Sequence, residues 1–345
     1  MKRFWTRRDR IPRYALKPGQ PIGLPRGMMY YHFAPLWQAF WENLGWPVLV
    51  SPTTNPDLLE AGKSLTRSDL CLPIKTLLGH ILWLKDRVGA LFLPRLISIE
   101  EEAYLCPKIL GINDMVRNLI PDLPPLIDPM VNYKGPARFS LADSFLNLAA
   151  GLSLEVSQVQ AAYQEALACW NDFQKRLPGR RGIPIELIPE EMVGYLFPAE
   201  GRNSRYRIGV IGRPYLLFDP VLSHHLLKKL SSRSSEVYCY QALPPQELDA
   251  YSNRLPKKVY WSLGKELVGA SLSFGQQSRI DGIINVSSFA CGQDAFTSYL
   301  IEHTLQTDSR KPFLSLVLDE HSSEVGLTTR LEAFYDVLEA RPSAG

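Results

Sequence analysis

Short runs of apolar, often β-branched residues alternate along this chain with longer stretches whose apolar positions recur at three and four. The first pattern is that of a buried strand and the second that of an amphipathic helix. In the first half the runs predict strands at Pro21–Leu24, Pro47–Ser51, Ala90–Pro94 and Pro125–Asp128. Between them they predict helices at Tyr30–Gly45, Pro73–Val88 and Lys108–Ile120. Pro-rich breaks at Pro121–Pro129 and Gly135–Pro136 close this unit. Ser140–Leu177 reads as one long helix or two, placed to link two units or to back one of them. Pro178–Arg205 is rich in Pro, Gly and Arg and reads as a loop. The alternation then starts again, with strands at Arg207–Ile211, Glu236–Tyr240, Gly282–Val286 and Phe313–Leu318. The helices of this half fall near Val221–Leu230, Lys257–Phe274, Asp294–His303 and Thr328–Leu338.

Strands separated by helices call for parallel sheets, because a parallel pair needs a crossover. Two open sheets of three or four strands fit the pattern better than one eight-stranded barrel. The expected division is a basic arm over 1–19, a first α/β lobe over 20–139, a helical linker and loop over 140–205, and a second α/β lobe with its C-terminal helix over 206–345.

Composition changes little in this picture. The 345 residues are 46% hydrophobic and 21% charged, as in a globular protein with a proper core. No apolar run approaches the roughly 20 residues of a membrane helix, and no apolar stretch follows the first basic residues, so a cytoplasmic protein without membrane contact is expected. Charge is uneven. Seven of the 38 Lys and Arg and one of the 35 Asp and Glu lie in the first eighteen residues, so the remainder carries 31 against 34. The basic arm is either a solvated tail or a handle for nucleic acid or an acidic partner. No basic stripe on the body extends it, and no nucleic-acid partner is expected.

The cysteines change the picture more. There are five, none in a C-x-x-C pair, which excludes zinc ribbons, thioredoxin-type motifs and compact ferredoxin runs. Cys71 lies at the mouth of a predicted helix, where Ser68 or Asp69 is the expected cap and Pro73 falls in the first turn. Cys106 follows the strand ALFLPRL and precedes Pro107. Cys291 follows IINVSSF and precedes Gly292, with Asp294 expected to cap the helix after it. All three thiols therefore share one local setting, a strand end followed by a helix start, where a thiolate gains from free N–H groups and the helix dipole. Cys169 sits inside a helix and Cys239 inside a strand, as small buried apolar residues do. Context alone leaves a metal site and three unrelated thiols both open.

Seven segments in order, IGLPRGMMYYHFAPLWQAFWENLGWPVLVSP, SDLCLPIKTLLGH, FLPRL ahead of Cys106-Pro107, IGVIGRPYLLFDP, KKVYWSLGKEL, ACGQDAF and LDEHSSEVGLTTRLEAF, span about residues 20 to 338. Together they resemble the D-component family of 2-hydroxyacyl-CoA dehydratases, with its double-cubane-cluster and CoA-activase-associated relatives. The resemblance implies two flavodoxin/Rossmann-like lobes with parallel sheets and a cluster site in the cleft between them. It implies an iron–sulfur cluster on Cys71, Cys106 and Cys291, reduced one electron at a time by a separate ATP-hydrolysing activase with its own 4Fe-4S cluster, and used on a small substrate such as a CoA thioester. A complete double cubane needs about six cysteine ligands and only three are placed here. The cofactor implied is therefore one 4Fe-4S cluster with an open iron, or half of a double-cubane 8Fe-9S cluster shared in a homodimer or with a related D-component subunit. Neither G-x-x-x-x-G-K-[ST] nor a phosphate loop of the sugar-kinase kind is present, so the chain reads as the electron acceptor and not as the ATPase.

Further site candidates lie near the thiols. Lys75, four residues past Cys71, either offsets cluster charge and binds an anionic substrate or is an exposed helix lysine. His80 is expected to be a packed histidine rather than a proton donor. In LDEHSSE, His321 and Glu324 are the candidates for proton delivery beside Asp319 and Glu320, with loop-stabilising hydrogen bonds as the plain alternative. Arg330 either holds a CoA phosphate or pairs with Glu332 or Glu324. Two rival functions stay open: a relay or scaffold subunit carrying the same cluster without catalysis, and a metal-free CoA-binding protein.

Overall fold

The computed structural model describes residues 14, 16, 19–66, 70–134, 138–176 and 204–340. The first lobe contains β1 (Ile22–Leu24), β2 (Val48–Val50), β3 (Ala90–Phe92) and β5 (Leu126–Ile127) in one sheet of order β2-β1-β3-β5. A separate parallel pair, β4 (Arg95–Ser98) with β6 (Met130–Asn132), extends from its edge. In the second lobe β7 (Tyr206–Gly212), β8 (Ser235–Cys239), β9 (Gly282–Ser288) and β10 (Phe313–Leu318) form a sheet of order β10-β9-β7-β8. Every pairing in both sheets is parallel. This is the α/β, doubly parallel architecture expected from the sequence.

The two sheets share one connectivity. In each, the second strand pairs on one side of the first, and the later strands pair on the other. Each therefore has a switch point beside its first strand, where the loops leaving the C-terminal strand ends part and open a crevice. Central strands β1, β3 and β9 are buried along their whole length, as strands covered by helices on both faces must be.

The Val156–Arg176 helix packs on Tyr30–Asn43 and backs the first lobe. Phe33 stacks on Trp170 with ring centroids 5.6 Å apart, and Trp170 Nε1 donates to the His32 carbonyl at 2.9 Å. Behind them Phe40, Trp41, Phe92 and Phe145 pack edge to face, the Phe40–Phe145 centroids lying 4.6 Å apart. One apolar core continues from Ile22 through this cluster to Leu338 in the second lobe, so the lobes are packed together and not merely tethered.

The observed helices differ from the sequence expectation where local chemistry interrupts the period. Residues 140–176 hold three helices, Leu141–Leu146, Leu148–Leu152 and Val156–Arg176. A Ser140–Asp143 capping box starts the first, and Ser153 in a left-handed conformation ends the second. The helix expected near Val221–Leu230 is Leu226–Ser232, because His224 and His225 both take positive φ just before it. Pro56–Ser64, capped by Asn55, and Pro245–Ser252 were not anticipated. Each is short and packs on the helix that follows it. The breaks expected at Gly135–Pro136, the loop over 178–205 and the basic arm fall largely outside the described residues.

The close approach of Pro56–Ser64 to Leu72–Lys85 needs two glycines. A methyl on Gly79 would meet the Leu58 carbonyl oxygen at 1.9 Å, and one on Gly62 the Lys75 carbonyl oxygen at 1.8 Å. Both neighbours are backbone and cannot swing aside. Gly79→Ala should therefore destabilise the fold by about 1–3 kcal/mol, read as a lower urea midpoint. An unchanged midpoint would mean that the two helices are not in contact there.

Candidate functional site

Each of the three cysteines is the residue at which extended chain becomes helix. Cys71 (φ −67°, ψ 150°) is the N-cap of Leu72–Lys85, Cys106 (φ −61°, ψ 139°) of Pro107–Leu110, and Cys291 (φ −96°, ψ 103°) of Gly292–Asp308. Pro73 and Pro107 in the first turns preset the helical φ. The caps expected from sequence are corrected by this arrangement. Cys71 itself takes the N-cap position, while Ser68 and Asp69 lie outside the described residues. Cys291 Sγ accepts the Asp294 N–H at 3.4 Å, so the thiol and not Asp294 caps that helix.

The lobes bring the three positions to one cleft. Lys108, two residues after Cys106, donates from Nζ to the Ala290 carbonyl at 3.0 Å, next to Cys291. Cys71 is buried, and Cys106 and Cys291 pack on the same apolar core. Burial pushes the Cys71 thiol up; the Lys108 charge and an Ile74 hydrogen bond oppose this, and Cys106 and Asp294 add to it. Burial, with Asp294 and Cys71 adding and Arg213 opposing, pushes Cys291 up to about 12. Cys106 thus lies within electrostatic reach of Cys71, and Cys71 of Cys291. Cys239, by contrast, is raised by burial alone within β8. Among the described residues no three His, Cys, Asp or Glu side chains converge closely enough to hold a single metal ion.

Arg213, which the sequence reading passed over, is the most deeply placed charge of the site. It follows β7 directly, is 1% exposed, and pairs through Nε with Asp294 Oδ1 at 2.5 Å. Its Nη2 donates to Gln293 Oε1 at 3.3 Å, and its Nη1 has no partner among the described residues. Burial works against its charge, but Asp294, Tyr215 and Cys291 together hold it ionised. Asp294 is further fixed by the Ser288 N–H at 3.1 Å. Tyr215 is pushed far up by burial, with Arg213 opposing and Asp294, Cys291 and Cys71 adding. The available signal was an arginine placed directly after the wholly apolar end of a strand, in IGVIGRPY.

Lys75 is 2% exposed and bonds Glu320 at 2.5 Å across the cleft, so the reading as an exposed helix lysine is corrected. Burial works against ionising Glu320, and the Lys75 hydrogen bond overrides it, leaving the carboxyl below the usual range. His80 is fully buried and bonded to Thr54 Oγ1 at 3.0 Å, as expected of a packed histidine. Thr54 in turn bonds Asp219 of the second lobe. His321 is exposed, its backbone N–H bonded to Asp319. Glu324 is exposed and paired with Lys229, and Glu332 pairs with Arg233. Both carboxylates suggested as partners of Arg330 are thus engaged elsewhere.

Residues 21–243 match the family model described as CoA enzyme activase uncharacterised domain. The chain belongs to that family. No curated protein matches it. Among solved structures it is similar to the C-terminal domain of glucosamine-fructose-6-phosphate aminotransferase from Francisella tularensis, at 12% identity over 93% of this chain and 84% of that one, with a TM-score of 0.22. A likeness that slight adds nothing to the description of the fold.

Two measurements check the cross-cleft contacts. Glu320→Gln leaves Lys75 buried without a counter-charge and should cost about 3–5 kcal/mol in denaturant unfolding, whereas Lys75→Met with Glu320→Met should recover most of that loss. Equal losses in the single and double variants would contradict a buried pair. Burial, with Arg26 adding, lowers His80 to about 3, so the folded chain keeps it neutral while the unfolded chain protonates it near 6.5. Its contribution is therefore complete above pH 6.5 and lost as pH falls toward 3, at about 1.4 kcal/mol per pH unit. His32, lowered to about 4 by burial and then Arg213, acts in the same direction. His80→Gln should flatten the stability profile between pH 6.5 and 4.5, and an unchanged slope would place His80 in solvent.

Proposed function

We propose that this chain is a redox component that holds an iron–sulfur cluster on Cys71, Cys106 and Cys291. It takes single electrons from a separate ATP-hydrolysing activase with its own 4Fe-4S cluster and acts on a small substrate such as a CoA thioester. One observation carries the reading: three thiols far apart in sequence are all helix N-caps packed on one core, and Lys108 beside Cys106 bonds the carbonyl beside Cys291. When bound, such a cluster supplies low-potential electrons and, with only three thiolates, an iron open to substrate.

The donor set fits that group. Thiolates are soft ligands suited to iron–sulfur chemistry. Each thiolate of a cluster binds a different iron, so the three need not converge on one point, as a single ion would require. Burial holds Cys71 and Cys291 as neutral thiols, and metal binding then releases their protons. Helix N-termini behind all three, with Lys108 and Arg213, offset the negative charge that results. Lys75, one turn past Cys71 and bonded to Glu320, adds a cation from the first lobe that a substrate anion can share. His321 and Glu324 on the exposed rim are the groups proposed to exchange protons with solvent. With three ligands per chain the cofactor is one 4Fe-4S cluster, or half of an 8Fe-9S double cubane shared with a second copy or a related D-component subunit.

Anaerobic purification should give a brown protein with about four irons per chain. Cys71→Ser, Cys106→Ser and Cys291→Ser should each lower the iron content and bleach the colour, while Cys169→Ser should not. Iron-free, colourless wild-type protein would sink the reading. Cyanide or a thioester that alters the cluster spectrum would establish the open iron, whereas indifference to every added ligand would make the chain a relay.

A further inference from the structure

The second lobe carries a set of buried hydrogen-bonding groups that the cluster reading does not use. Arg213 Nη1, Gln293 Nε2, Thr297 Oγ1 and Ser262 Oγ are all buried without a partner among the described residues. The side chains bearing them are 1%, 5%, 1% and 1% exposed. The first three belong to one place, and Ser262 stands at the helix end that packs on it. Gln293 already accepts from Arg213 Nη2, and Thr297 lies one helical turn after Gln293, on the same face. Ser262 opens the Ser262–Gln276 helix, which packs on Gly292–Asp308. At Gly264, in the first turn of that helix, an added methyl would come within 3.1 Å of Thr297 Oγ1. Trp261 and Phe296 meet edge to face at the same two helix ends, with centroids 5.7 Å apart. The place is also the one that sheet topology favours for ligands, since Arg213 leaves β7 and Gln293 follows β9, the two strands that flank the switch point.

The inventory of free groups defines what fits. A guanidinium N–H and an amide N–H can only donate, and the two hydroxyls can donate as well. Arg213 and Asp294 neutralise each other, while two long helices direct their positive ends, each worth about half a charge, toward the spot. About one negative charge is thus accommodated, shared over oxygens that accept several hydrogen bonds. A dianion would exceed it.

We infer that the second lobe binds a carboxylate of a small molecule between Arg213, Ser262, Gln293 and Thr297, two residues from Cys291. The inference rests on the proposed function only in taking this cleft as the place of reaction, where it would make the substrate a carboxylate-bearing one.

Saturation-transfer NMR on the full-length, anaerobically purified protein tests it, with acetate and glycolate as probes and inorganic phosphate as the contrast. Saturable carboxylate binding is expected, weakened about tenfold or more in Thr297→Val and in Gln293→Leu, with iron content unchanged. These variants keep the Arg213–Asp294 pair, which Arg213→Gln would break. No saturable binding would mean that ordered water alone fills the place and would overturn the inference. So would equal affinity in the variants, or phosphate binding more tightly than acetate. Carboxylate binding that persists in an iron-free wild-type protein would leave this site standing while the cluster reading fell, so the two are tested separately.

Discussion

The Arg213–Asp294 pair is the contact around which the cleft is arranged. Two opposite charges at 1% and 3% exposure have given up nearly all their hydration, and only close mutual contact with further hydrogen bonds offsets that loss. The Ser288 N–H and the Gln293 side chain supply those bonds. The pair ties the end of β7 to the helix that follows β9, and so bridges the switch point of the second sheet. It thereby fixes the first turn of Gly292–Asp308, the turn on which Cys291 acts as cap. A neutral pair of similar volume would pack as well, but it would remove the Arg213 charge from beside Cys291 and leave Gln293 without its anchor.

The first lobe meets this arrangement with charges of its own. Lys75 reaches Glu320, Lys108 reaches the Ala290 carbonyl, and Lys265 of the second lobe bonds Glu100 at 2.6 Å. The Lys75 and Lys108 contacts start within one turn of Cys71 or Cys106, so the elements that carry the thiols also carry the bonds between lobes. The shared apolar core beneath them gives these polar contacts a fixed frame. A group bound by all three thiols would join both sheets at their C-terminal edges.

The duplicated strand order gives the cleft a further regularity. Cys106 and Cys291 each cap the helix that comes after the third strand of their sheet, with β4 intervening in the first lobe. Cys71 caps the helix that precedes the third strand, and the corresponding position in the second lobe is Trp261, the N-cap of Ser262–Gln276. The first lobe thus presents two thiols where the second presents one thiol and a cradle of amide, hydroxyl and guanidinium groups. One topology has been fitted with different side chains at equivalent places, and the asymmetry gives the two walls of the cleft different chemistry.

The periodicity of the chain determined the parallel α/β class, most strands to within two residues, and the shared setting of Cys71, Cys106 and Cys291. Those features are local: burial on both faces makes a strand uniformly apolar, and a helix start is marked by proline and by the end of that run. Tertiary structure alone decided that Lys75 is buried against Glu320, that Cys291 and not Asp294 caps its helix, and that Arg213 is the central charge. Lys75 and Arg213 depend on partners 245 and 81 residues away, and at Cys291 the Asp294 carboxylate is already engaged by Arg213. The same holds for the separation of His321 and Glu324, on the exposed rim, from the half-buried Glu320 beside them in sequence. Neighbours in a loop share a sequence pattern, but which of them turns inward is fixed by the lobe that packs against it.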